Sequence, residues 1–69
     1  MSDDSKVKEI NKLKQRVNEL VKTIQNLKNL LARSEIPLKD FRKKKATLEE
    51  ELRGALKKIA YYKEEISAE

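Results

Sequence analysis

The sequence predicts an all-α fold: a two-helix antiparallel coiled-coil hairpin, expected to associate further into a dimer or four-helix bundle. Three observations predict it. Apolar residues step by three and four along two stretches, Ile10, Leu13, Val17, Leu20, Ile24, Leu27, Leu31 and then, with one gap at Lys45, Phe41, Leu48, Leu52, Ala55, Ile59, Tyr62, Ile66. That is the spacing of one face of a helix. The only proline, Pro37, lies between the two stretches. The stretches also mirror each other about it: Ile10 with Tyr62, Leu13 with Ile59, Val17 with Ala55, Leu20 with Leu52, Ile24 with Leu48 and Leu31 with Phe41 each have residue numbers summing to 72. In every pair a heptad a position meets a d position, the alternation that an antiparallel coil requires.

The elements follow in order. Residues 1–5 are polar and expected to fray, with Asp4 or Ser5 placed to cap the first helix and Asp3 and Asp4 at its positive dipole end. Helix 1 is expected from about Lys6 to about Arg33. Ile10, Val17, Ile24 and Leu31 fall at a; Leu13, Leu20 and Leu27 fall at d. Alone, β-branched residues at a with Leu at d would favour a parallel two-stranded coil. The corner, residues 34–37, argues against that. Pro37 has no N–H for a continuing helix and pushes Ile36 out of the helical region, while it suits the start of a new helix. Arg33 is suitably cationic for the end of helix 1 and Asp40 suitably anionic for the start of helix 2. The corner lacks the usual C-terminal Gly. Helix 2 is expected from about Leu38 to about Ser67. Leu52, Ile59 and Ile66 fall at a; Phe41, Leu48, Ala55 and Tyr62 fall at d. The whole chain, residues 1–69, then forms one hairpin with helices of about 42–45 Å.

Composition bounds the function. A chain of 69 residues makes one domain, and so small a core rarely supplies more than ~3–5 kcal/mol without help from disulfides, metal, regular helix packing or a partner. There is no Cys and no His, which removes disulfides, thiolate sites, the commonest transition-metal ligand and the commonest general base. The charged fraction is 42% with a Lys, Glu, Leu and Ala bias, which at this period reads as long helices. The net charge of +5 is an ordinary solubility charge. No apolar run reaches the ~18 residues that cross a membrane, and nothing after Met1 reads as a secretory signal. The expectation is a soluble, intracellular and most simply cytoplasmic protein without membrane insertion, with Met1 as a natural start.

No motif carries chemistry. Glu49, Glu50 and Glu51 occupy consecutive helical positions, so their carboxylates fan around the axis instead of converging. No nucleophile–base pair, phosphate loop or metal spacing occurs. No catalytic residue, cofactor, metal or small-molecule substrate is therefore expected.

Surface features carry the candidate sites. Val7, Val21 and Leu56 fall at e and Leu30 at g, widening the apolar stripe beyond a two-stranded seam. Tyr61 lies outside the seam near the open end, where a tyrosine can anchor an interface. These five are the candidate protein contacts; the rival reading is aliphatics half-buried at coil flanks. The flank charges appear mismatched, with Glu9 facing Glu65, Arg16 facing Lys58 and Lys28 facing Arg42. Lys45 occupies a core position opposite Leu27, where it either fixes register or extends its head to water. Gly54 marks either a narrow waist or a tolerated exposed position. Around the corner, Lys28, Arg33, Lys39, Arg42, Lys43, Lys44 and Lys45 outweigh Glu35 and Asp40, for a net +5. Lys39, Arg42, Lys43 and Lys44 are the candidate nucleic-acid contacts, though no free aromatic is interleaved to stack on bases.

The corner segment Glu35-Ile36-Pro37-Leu38-Lys39-Asp40-Phe41, with a long heptad helix on each side, loosely resembles the small subunit of exonuclease VII. The chain departs from that pattern in its basic balance and in having no Gly before the corner. Its layout is also similar to the small hairpin co-chaperones of type III secretion needle subunits. Neither resemblance identifies a family, and both imply a non-catalytic accessory subunit. Three functions are therefore weighed: a protein-interaction or accessory hairpin, a nucleic-acid-binding hairpin using the basic tip, and a structural parallel dimer kinked at Pro37.

Overall fold

The computed structural model describes residues 3–68. Two helices, α1 (Asp3–Ala32) and α2 (Leu38–Ala68), pack against each other as a hairpin. The chain doubles back at the corner and does not run on through a kink. The molecule is a rod of 51 × 14 × 12 Å, the length expected of helices of 30 and 31 residues.

The seam is the one the mirrored spacing predicts. Ile10, Leu20, Ile24 and Leu27 of α1 are buried against Phe41, Ala55 and Ile59 of α2. Leu20 is the deepest, at 1% exposure. The other seam residues, Leu13, Val17, Leu31, Leu48, Leu52, Tyr62 and Ile66, are half-buried. Two helices can enclose only the inner edge of each side chain, so half of the stripe keeps contact with water.

The start of α1 corrects one expectation. The helix runs through Asp4 and Ser5, which therefore lie in its first turn and do not cap it. No residue there breaks a helix, and an acidic side chain is favoured near the positive dipole end. Of the segment expected to fray, Met1 and Ser2 lie outside the described residues.

The corner supplies what the missing glycine left open. The Glu35 N–H donates to the Leu30 carbonyl at 2.8 Å and the Ser34 N–H to the Leu31 carbonyl at 3.0 Å. This is the Schellman arrangement, which satisfies the last carbonyls of α1. It requires a left-handed residue, and Ser34 takes that place with φ 62°. Arg33 sits just past α1, donating its N–H to the Asn29 carbonyl at 3.0 Å. The Pro37 carbonyl then accepts the first bond of α2, from the Phe41 N–H at 3.0 Å. Pro37 is thus the residue before the helix and not its first, and its missing N–H costs nothing there.

Candidate functional site

In an antiparallel pair the e positions of both helices share one flank and the g positions share the other. Val7, Val21 and Leu56 fall on the e flank, while Leu30 and Tyr61 (at c, beside g) fall on the opposite one. The five candidate contacts therefore do not form a single face. Val7, Val21, Leu56 and Tyr61 are exposed at 44, 43, 50 and 59%. Leu30 is half-buried, and its carbonyl is held in the corner. Leu38 is a fifth large exposed apolar side chain, at the start of α2. Although it falls at a, it lies past the end of α1 at Ala32 and is 50% exposed.

The g flank is zipped by charge. Both Nε and Nη2 of Arg16 reach one carboxylate oxygen of Glu51 at 2.5 Å, and Nη1 reaches Glu19 at 3.2 Å. The bonds to Glu51 and then Glu19 raise the Arg16 pKa above its ordinary value. Lys6 Nζ pairs with Glu65 at 3.1 Å near the open end, and Glu9 pairs with Lys12 at 3.8 Å. The expected mismatches of Glu9 with Glu65 and Arg16 with Lys58 are thereby corrected. Helical side chains lean toward their own N-terminus and long ones span most of a heptad, so Glu9, Glu65 and Arg16 each find an opposite charge, while Lys58 pairs with no carboxylate among the described residues. Lys28 and Arg42, on the e flank, pair with no carboxylate among the described residues.

Tyr61 is more engaged than its exposure implies. Its hydroxyl hydrogen-bonds the Glu65 carboxylate, which raises the phenol pKa above 10.0; the negative charge of Glu65 adds to that. Its ring meets Tyr62 edge-on, with centroids 5.8 Å apart at 64°. Tyr61, Glu65 and Lys6 thus form a polar clasp at the open end.

Lys45 is half-buried. Its ammonium stands 5.8 Å from the centre of the Phe41 ring and 4.0 Å from Glu49. The stem packs along the seam and the head finds its partners on α2 itself, as a long amphipathic side chain does. A Cβ built on Gly54 meets nothing within 4 Å, so this hairpin has no close contact at the expected waist.

At the corner end, Lys39, Arg42, Lys43 and Lys44 are all exposed, and none is paired with a carboxylate among the described residues. Arg42, Lys39 and Lys43, at e, b and f, neighbour one another on one side of the first turns of α2, while Lys44, at g, lies apart from them. Lys43 and Lys44 border an open groove of about 490 Å³ whose other walls are Thr23, Leu27, Thr47 and Leu48. The threonine hydroxyls bond their own helices, Thr23 to the Glu19 carbonyl at 2.9 Å and Thr47 to the Lys43 carbonyl at 3.1 Å. Their methyl groups are left to the groove, which is apolar with a basic lip.

Among the described residues no group of three or more Asp or Glu converges as metal ligands would, and no helix is long and apolar enough to cross a membrane. Comparison with protein-family models, curated proteins and solved structures finds no match to this chain.

Proposed function

We propose that this hairpin is a non-catalytic protein-interaction or accessory subunit that buries an apolar helix face in a larger assembly. The observation that carries the reading is the row of Val7, Val21 and Leu56, 43–50% exposed on one flank of a hairpin whose core is a single layer of side chains. A two-helix unit of 69 residues gains little stability from its own core. Aliphatics beside the seam give a partner a surface to complete it. The experiment is a tagged pull-down from the source cell after nuclease treatment, analysed by mass spectrometry. A protein recovered in stoichiometric amount supports the reading; recovery of the hairpin alone, as a monomer, sinks it.

A second reading is favoured by one separate observation. The four unpaired cations Lys39, Arg42, Lys43 and Lys44 make the corner end an anion-attracting tip, suited to phosphates. Binding by that tip would weaken steeply with salt. Anisotropy of a labelled oligonucleotide across a salt series, with Arg42→Glu/Lys43→Glu as the comparison, tests it. A salt-sensitive affinity lost in the variant supports nucleic-acid binding; no affinity at low salt removes it.

A further inference from the structure

The two flanks of the rod differ in charge as well as in apolar content, and the difference names the chemistry of a partner. On the e flank of the two helices and the b positions beside it, Lys14, Lys28, Lys39, Arg42, Arg53 and Lys63 stand against only Asp4 and Glu49, a net +4. The g and c positions of the two helices carry four cations against five carboxylates. Among the described residues, the ion pairs that cross between the helices, Arg16 with Glu51 and Lys6 with Glu65, lie on that g side. None of the six cations of the e and b flank has a carboxylate partner among the described residues. Glu49, its one acid in α2, is already occupied by Lys45 at 4.0 Å.

The same flank holds the exposed aliphatics. Val7 and Val21 are two heptads apart, about 21 Å along the helix, and Leu56 of α2 comes level between them. Ala32, Ala46 and Ala60 are exposed at b beside this row, so a neighbouring helix can approach closely; Leu38 prolongs the row at the corner end.

We propose that the e flank docks an acidic amphipathic helix of a partner protein, its aliphatic residues on Val7, Leu56 and Val21 and its carboxylates against the unpaired cations on either side. This rests on the accessory-subunit reading and gives its partner a chemical class. A second copy of the chain does not fit, because the same flank would bring a net +4 onto a net +4. A nucleic acid satisfies the cations but offers the aliphatic row nothing to cover it.

The test uses the full chain and a synthetic peptide of about three heptads, with Leu at a and d and Glu at e and g. One control replaces each Glu by Lys, and another replaces each Leu by Ala. Expected is binding of the acidic Leu peptide alone, with amide shifts centred on Val7, Val21 and Leu56. Val21→Glu/Leu56→Glu should weaken it about a hundredfold, the size of a central contact loss. Lys14→Glu/Lys63→Glu, which leaves the seam untouched, should weaken it about tenfold and reduce its salt dependence; Thr23→Glu on the opposite flank should not change it. Equal binding of the Lys peptide, equal binding of the Ala peptide, shifts centred on Thr23 and Thr47, or dimerisation of the chain through the e flank would each overturn the proposal. The pull-down separates the two levels. A partner captured equally by wild type and by Val21→Glu/Leu56→Glu leaves the accessory reading standing and removes this flank. No partner for the wild type removes the reading itself.

Discussion

Ser34 bears a conformational cost that the rest of the corner imposes. The Schellman bonds at Glu35 and Ser34 need a left-handed residue, and a side chain there clashes with its own backbone. Ser34→Gly is expected to raise stability by about 1 kcal/mol, and Ser34→Val to lower it by at least as much, both read from thermal melts by circular dichroism. Gly54 is the converse case, an ordinary helical position with open space around it. Gly54→Ala should add ~1 kcal/mol through helix propensity alone. A loss of stability there, or a change of assembly state, would mean that another chain packs against Gly54. Tyr61 gives a pH reading. Its folded-state pKa is raised by Glu65, so the bond stabilises fully below pH ~10, the unfolded tyrosine value, and is lost as pH rises through the folded pKa. In a Tyr62→Phe background, absorbance at alkaline pH should show a midpoint above 10.0 that falls back toward it in Glu65→Gln.

At the scale of the helix pair, stability depends on very few side chains. Leu20 faces the middle of α2 and, among the described residues, is the one almost wholly removed from water. Leu20→Ala removes that contact and leaves a cavity, together worth ~2–5 kcal/mol, which is comparable to all that so small a core supplies. The variant should be largely unfolded at 25 °C by circular dichroism, while Val17→Ala, at a half-buried position, should remain folded with a lower midpoint. A cooperative, fully helical Leu20→Ala protein would show that the hairpin is held by contacts beyond its own seam.

The whole molecule is a thin rod with its charge unevenly placed. Its radius of gyration is 15.7 Å, against about 11 Å for a compact domain of this length. Solution X-ray scattering of the monomer should return a value near the former and a maximum dimension near 50–60 Å, slightly above the helix length. A parallel dimer extended across Pro37 would be nearly twice as long. The surplus of cations gathers at the corner and on the e flank, while the g flank is near charge balance and carries the ion pairs of Arg16 with Glu51 and Lys6 with Glu65. An exposed apolar row beside unpaired cations, on a rod with a thin core, is the physical basis of the proposal that it docks a partner.

The sequence by itself determined the fold and the seam. Period, proline and mirror symmetry are all properties of residue spacing, and Ile10, Leu20, Ile24, Leu27, Phe41, Ala55 and Ile59 are buried where that spacing puts them. Heptad position alone also placed Val7, Val21 and Leu56 beside the seam. What only the tertiary structure decided were features that depend on reach and on backbone angle. The corner closes on a left-handed Ser34 because hydrogen-bond geometry, not residue preference, sets φ there. Leu38 is exposed because its partner helix has already ended, which a heptad label cannot register. Of the charges expected to be mismatched on the g flank, Glu9, Glu65 and Arg16 find opposite partners because flexible side chains reach residues up to a heptad away. Residue spacing fixes where a Cβ stands; only the folded pair decides how far beyond it the side chain extends and what it meets.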